Sequence, residues 1–358
     1  MKAGIITHYD VHNHGAQLQL FGLITYLRNI GIDAKALTYT KNYDFLESGV
    51  ENKYNISIKS IGIYLRYLFS NGIRQTLFNY KKRKQLIAFR KKHELVGDFY
   101  SKTQLLDYLV VGSDEVFSFE AGINPFFWGF GVKYKKAFSY AASFGPTTTA
   151  FLEKCNCINF IKGGVLNFNA LSVRDQNSFD IIRDSTGIEP AIVCDPVFLY
   201  GFKDEIGKYK DLKREYLLVY SYDKNMNDTK TINQIKQFAK TNGLSIISVG
   251  YYHKWCHKNI NTNPLEIFKY FCQATFVITD TFHGTVLSLI TNTSFVAKLS
   301  GNQNKLRFLL TQYDLESRII DSFDSLQILF EEPIDYRNVE IKIQNERNKA
   351  EAFIKGSL

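Results

Sequence analysis

Ile278-Thr279-Asp280-Thr281-Phe282-His283-Gly284 stands between two apolar runs of different period. Residues 274–278 read as a short buried strand, and Thr285-Val286-Leu287-Ser288-Leu289-Ile290 reads as the first turns of an apolar helix. A strand that passes into a helix through a polar Asp-Thr-x-His-Gly is an α/β junction. It sets a titratable imidazole beside the free N–H groups of a helix N-terminus, which suits an anionic ligand and a proton moved to or from it. Two jobs compete for these residues. In one, His283 is a general acid or base and Asp280 is the carboxylate that orients it. In the other, Asp280 or Thr281 caps the helix and His283 rides on its first turn. The stretch taken alone leaves both open.

Outward from the junction, the same alternation continues. Strands are expected at 216–222, 244–249, 276–280, 294–299 and 318–321, separated by helices near 229–239, 264–272, 284–290 and 304–312. The start of the chain has the same rhythm. Residues 3–9 form a strand, His12-Asn13-His14-Gly15 a polar loop, and Leu20, Leu23, Ile24, Leu27 and Ile30 recur at helical spacing before Gly31; residues 33–39 form a second strand. Further strands are expected at 108–111, 136–145 and 171–175. With 358 residues, two domains are the natural division: residues 1–190, residues 191–335, and a last helix over 336–358. The predicted fold is α/β, two Rossmann-like domains facing a cleft, with a basic helical insertion at 40–105 in the first.

That insertion holds the charge asymmetry. Residues 53–93 contain eleven Lys and Arg and no Asp or Glu. Taking eleven from 44 leaves 33 basic against 35 acidic residues elsewhere, so the whole excess of positive charge lies here. A solvated helical face, a nucleic-acid patch and an anionic-lipid surface all fit such a run. Its apolar Ile61-Gly62-Ile63-Tyr64-Leu65-Arg66-Tyr67-Leu68-Phe69 suits a membrane interface better than nucleic acid.

Several chemistries lack their fingerprints. There is no G-x-G-x-x-G after the first strand, no G-x-x-x-x-G-K-[ST], no H-E-x-x-H and no G-x-S-x-G. The five cysteines are irregularly spaced and read as buried thiols in a reducing compartment. His8, His12 and His14 have Asp10 as their one acidic neighbour, a poor metal set. No metal and no cofactor are expected. The apolar run at the N-terminus stops at His8, and no run reaches the roughly 18 residues of a membrane span, so a cytoplasmic protein is expected.

Other candidates follow strands. Arg174 ends an apolar strand, and Arg307 opens a helix in Asn302-Gln303-Asn304-Lys305-Leu306-Arg307; each suits a phosphate or carboxylate, or a surface ion pair. Asn13-His14-Gly15-Ala16 and Gly112-Ser113-Asp114 occupy loops where α/β proteins bind ligands, or turn there only for the chain's sake.

Together and in order, seven segments resemble the polysaccharide pyruvyl transferase family. They are Ile5-Ile6-Thr7 with Asn13-His14-Gly15-Ala16-Gln17-Leu18-Gln19, Leu109-Val110-Val111-Gly112-Ser113-Asp114, Ser139-Tyr140-Ala141-Ala142-Ser143-Phe144-Gly145, Ser172-Val173-Arg174, Cys194-Asp195-Pro196, the 278–284 stretch, and the helix from residue 304 to 310. The resemblance implies a glycosyltransferase-B-like pair of domains. It also implies transfer of the enolpyruvyl group of phosphoenolpyruvate to two sugar hydroxyls as a cyclic ketal. It makes His283 the general acid, its cationic form also stabilising the anionic donor. Arg174, Thr281, Gly284, Lys305 and Arg307 become donor-binding candidates, and Asn13, His14, Ser113 and Asp114 acceptor-binding ones. The implied acceptor is a sugar of a capsule, exopolysaccharide or wall precursor, lipid-linked in many cases. Separately, the composition of residues 53–93 leads us to expect that they bring the enzyme to the inner leaflet.

Two departures stand out. Many members carry Arg where this chain has Thr281, and Gln-Val-Trp where it has Glu115-Val116-Phe117. The rival readings are a glycosyltransferase of the same architecture with a nucleotide-sugar donor, and a non-catalytic sugar-binding paralogue.

Overall fold

The computed structural model describes residues 1–40, 60–120, 122–212, 215–299 and 303–358, with side chains from 72 onward in the second stretch and from 305 in the last. The first sheet is built from β1 (Lys2–Ile6), β2 (Asp33–Thr38), β3 (Val96–Phe99), β4 (Leu106–Asp114), β5 (Tyr134–Ala142), β6 (Ser172–Val173) and β7 (Ala191–Ile192). All are parallel, in the order β3-β2-β1-β4-β5-β6-β7. Its helices are α1 (His14–Asn29), α2 (Ser60–Lys92), α3 (Thr149–Lys154), α4 (Ile158–Val165) and α5 (Gln176–Thr186). Two short helices, α6 (Pro196–Tyr200) and α7 (Lys203–Gly207), lead into the second sheet.

That sheet comprises β8 (Tyr216–Tyr220), β9 (Ser245–Val249), β10 (Lys258–Ile260), β11 (Ala274–Thr279), β12 (Phe295–Lys298) and β13 (Ile319–Ile320), ordered β10-β9-β8-β11-β12-β13 and again all parallel. Its helices are α8 (Thr229–Thr241), α9 (Ile267–Cys272), α10 (Phe282–Ile290), α11 (Gln303–Gln312), α12 (Leu326–Glu331) and α13 (Tyr336–Ser357). Both sheets reverse their strand order at one place, between β1 and β4 in the first and between β8 and β11 in the second. Doubly wound sheets bind ligands at that crevice, beyond the carboxyl ends of the strands.

Burial follows from these layers. One core cluster runs through both domains, joining Ile5, Leu20 and Phe138 to Phe198, Leu218, Val277 and Ile354. Each sheet's other face has its own cluster, around Phe117, Trp128 and Phe144 in the first and Phe238 and Phe276 in the second. α1 is buried on almost every side from His14 to Ile24, as a helix lying between two domains must be. α13 returns to the first sheet, where the Leu358 backbone oxygen accepts from Tyr108 Oη (2.8 Å) and Lys136 Nζ (2.9 Å).

The segment expected as an insertion is a crossover. β2 leads through α2 to β3, a parallel edge strand that the polar sequence Val96-Gly97-Asp98-Phe99 did not announce. α2 breaks at Gly72, whose φ of +74° lies in the left-handed region natural to glycine. Residues 53–59 of the expected 53–93 membrane face, and the side chains of 60–71, lie outside the described residues. Within the rest, Lys82 and Arg90 are buried in the protein: Lys82 Nζ donates to Gly250 O (2.9 Å) and Arg90 Nη1 to Gln17 Oε1 (3.3 Å). Among the described residues no helix is long and apolar enough to cross a membrane.

Candidate functional site

The two switch points face one another, and the chain ends that leave them supply the site. β11 ends at Thr279; Asp280 follows, and Thr281 is the N-cap of α10, its Oγ1 accepting from Gly284 N–H (2.8 Å). The cap reading is therefore true of Thr281, whose buried hydroxyl is committed to the helix. Gly284 is needed for closeness: a Cβ there would stand 2.1 Å from Thr279 Oγ1. Its N–H is spent on Thr281, so the N–H groups open to a ligand are those of Phe282 and His283.

His283 is buried between domains, with α1 pressed so closely upon it that a Cβ on Gly15 would lie 2.1 Å from its Cγ. Its Nε2 is buried without a hydrogen-bond partner and lies 3.8 Å from Asp195 Oδ2. Burial pushes its pKa down to about 4, with Asp195 pulling the other way and Arg174 adding to the depression. Without a ligand the imidazole is thus neutral at neutral pH.

Asp280 does not orient it. The Asp280 carboxylate accepts from Tyr222 N–H (3.2 Å) and Asn225 Nδ2 (2.6 Å) at the end of β8, and burial raises its pKa despite those bonds. The carboxylate that faces His283 is Asp195, fully buried at the N-cap of α6. It accepts from Val197 N–H (2.9 Å), from Gln19 Nε2 on α1, and from Arg174 Nη1 (3.3 Å). Asp-Pro at 195–196 reads locally as a helix start with Pro in its first turn, so the sequence signals a cap and hides the longer-range partners.

Arg174, at the end of β6, bridges two carboxylates: Nη1 reaches Asp195 and Nη2 reaches Asp114 Oδ1 (3.3 Å). Its guanidinium lies 4.8 Å from the centre of the Phe282 ring. Burial works against its charge, but Asp114 and Asp195 outweigh that and raise its pKa. Its Nε is buried and unpartnered. Burial raises the pKa of Asp114, but Arg174, His8, Lys305 and His283 together outweigh it and hold the carboxyl at about 2. Beside it, Glu115 pairs with Lys305 of α11 across the domains, and Glu115 O lies 3.3 Å from His8 Nε2.

The other expected residues divide. Ser113 is buried and its carbonyl accepts from Thr7 Oγ1 (2.8 Å). Asn13 is the N-cap of α1, accepting from Gly15 N–H (2.8 Å), so that helix starts at His14 where a loop was expected. His14 is fully buried at the domain boundary, bonded to Thr262 O (2.8 Å) and lowered by burial to about 4, and is no part of an open acceptor surface. Arg307 is exposed and stands outside the cluster. Phe117, one of the departures from the family pattern, is stacked on Trp128 at 4.3 Å in the core, whereas Glu115 borders the site. Among the described residues no group of His, Cys, Asp and Glu is arranged to hold a metal. Asp195 and Gln19, present in the segments that carry the family resemblance, were given no site role from sequence, and the bonds that join them to the site run between residues far apart in the chain.

The arrangement is an enclosed, strongly polar cluster with two buried nitrogens left over, Arg174 Nε and His283 Nε2, beside a helix N-terminus. It suits a small anion and a proton transfer. The family model for polysaccharide pyruvyl transferases matches residues 13–299. No curated protein sequence matches. Among solved structures, a UDP-N-acetylglucosamine 2-epimerase is 9% identical over 99% of this chain and 94% of its own, with a TM-score of 0.50. The S. aureus MnaA–UDP structure is 9% identical over 98% and 92%, at 0.49, and Acinetobacter baumannii MurG 11% over 99% and 98%, at 0.42. At such identities the likeness concerns the fold alone, two Rossmann-like domains arranged as in glycosyltransferase-B proteins.

Proposed function

The chain belongs to the polysaccharide pyruvyl transferase family, and from that premise we propose that it transfers the enolpyruvyl group of phosphoenolpyruvate to two hydroxyls of one sugar residue, forming a cyclic pyruvate ketal. The observation that carries the reading is the pair of buried, unpartnered nitrogens, Arg174 Nε and His283 Nε2, in one cluster. A small donor with two anionic groups, a carboxylate and a phosphate, gives both a partner. Arg174 would hold its carboxylate or phosphate, with the N–H groups of Phe282 and His283 at the helix end. Lys305, now paired with Glu115, would swing to the phosphate.

The neutral imidazole is consistent with an acid role. An anionic group brought within about 4 Å of Nε2 favours its protonated form, so the donor raises the pKa of the group that must protonate it. His283 then gives its proton to the methylene carbon of phosphoenolpyruvate. The first sugar hydroxyl adds to C2 and returns a proton to the imidazole. The C2–O bond to phosphate breaks, phosphate leaves carrying the second hydroxyl's proton, and the second oxygen closes the ketal. Asp195 holds Arg174 in position and, 3.8 Å from His283 Nε2, favours the imidazolium by its charge. The acceptor would be a sugar of a cell-envelope polysaccharide precursor, lipid-linked, approaching past Asp114 and Glu115.

The test is phosphate release from phosphoenolpyruvate, measured against a panel of sugar acceptors. Release that depends on acceptor and disappears in His283→Gln is the expected result. Release that is unchanged in His283→Gln, or a donor requirement met by UDP- or GDP-sugars instead, overturns the reading.

A further inference from the structure

We propose that the outward face of α2 is a docking surface for an anionic lipid bilayer, whatever reaction the cleft performs. From residue 73 the helix has two faces. Phe78, Lys82, Leu86 and Phe89 are buried against the protein. Ile73, Leu77, Tyr80 and Ile87 recur at i, i+4, i+7 and i+14 on the opposite side, within an arc of about 80° at ~100° per residue. They are 68, 53, 54 and 44% exposed, on a side where a water-facing helix would be polar.

Cations accompany this stripe. Lys84 and Lys91 fall within it, Arg74 and Lys81 border one side and Arg83 the other, and all five are exposed. Lys84 Nζ lies 4.6 Å from the centre of the Tyr80 ring. No acidic residue interrupts the chain from 53 to 93, and the net positive charge of the whole protein comes from this segment. The pattern matches a bilayer on both counts: acyl chains at the headgroup boundary receive the apolar stripe, and lipid phosphates receive the flanking cations. A nucleic acid would leave Ile73, Leu77 and Ile87 unmatched. Lys82 and Arg90, although basic, take no part because they face inward.

The helix that carries this surface is held firmly on the second domain. Gln75 Nε2 and Asn79 Nδ2 donate to Asp223 Oδ2 (3.2 and 3.0 Å) just beyond β8, and Asn261 Nδ2 donates to Phe78 O (2.8 Å) just beyond β10. These bonds lie on the inward side of α2 and fix the helix, with its outward stripe, against the carboxyl ends of the second sheet.

Co-sedimentation of the full chain with phosphatidylcholine vesicles, with and without about 30 mol% phosphatidylglycerol, tests this. Binding only to the anionic vesicles, weakened by salt, is expected. The exposed-site variant Leu77→Asp/Ile87→Asp, checked for an unchanged thermal unfolding curve, should bind at least ~10-fold less. Lys81→Gln/Lys84→Gln should lose roughly fivefold per cation. Absence of binding, equal binding to neutral vesicles, or unchanged binding in both variants overturns the proposal. So does a wild-type dimer that Leu77→Asp/Ile87→Asp renders monomeric, since the face then belongs to a second copy.

Discussion

Asp195 is where the electrostatics of the site converge, because one buried carboxylate serves Arg174, Gln19, an α6 cap and, at 3.8 Å, His283. Replacement by Asn keeps shape and cap but removes the charge that favours imidazolium. For Asp195→Asn we expect kcat to fall about 10²-fold, and its basic limb to move to lower pH, because His283 gives up its proton more readily. A lower rate with an unmoved profile would reduce Asp195 to scaffolding. Two of the buried histidines contribute to the acid stability. His14 and His283 titrate at about 4 in the folded protein against 6.5 ordinarily. Between those values the unfolded chain binds more protons. The stability they contribute is therefore full above about 6.5 and lost as pH falls through about 4, on the order of 3 kcal/mol for each. Urea unfolding midpoints should drop steadily from pH 7 to pH 4.5; equal midpoints would show that neither ring is buried neutral.

At the level of the element, the start of α10 shows what local sequence conveys and what it withholds. Thr281-Phe282-His283-Gly284 after an apolar strand is legible as a capped strand-to-helix junction, and the structure has Thr281 in that place. Thr281→Ala should lower unfolding free energy by about 1 kcal/mol, and Thr281→Ser should restore most of it, measured by denaturant titration. No loss in the Ala variant would mean that the hydroxyl is not the cap. What the local pattern could not supply is which carboxylate faces His283. Asp280 is three residues away but points along β8, while Asp195 arrives from α6, brought there by packing that no local period encodes. The β3 and β10 edge strands were missed for a related reason: each is short and half-exposed, so neither shows the apolar run that marks the central strands. α2 was legible as basic and aromatic, yet only its register on the protein separates buried Lys82 and Arg90 from the exposed stripe.

For the whole molecule, two all-parallel sheets with the same order bring two switch points together, and the site is what their loops hold in common. The alternation of apolar strands and helices made that architecture readable from the chain. The contact between domains was not: Gly15 under His283, Gln19 on Asp195 and Lys305 on Glu115 each join residues more than 170 positions apart. The central claim is that these joined residues deliver a proton to the methylene carbon of phosphoenolpyruvate. Its most direct measurement is an NMR spectrum of the product formed in deuterium oxide from phosphoenolpyruvate and an acceptor glycan. The account predicts a ketal whose methyl group carries one deuterium, formed by the wild-type protein and not by His283→Gln. A product that keeps its vinyl group, or a ketal methyl without deuterium, would contradict it.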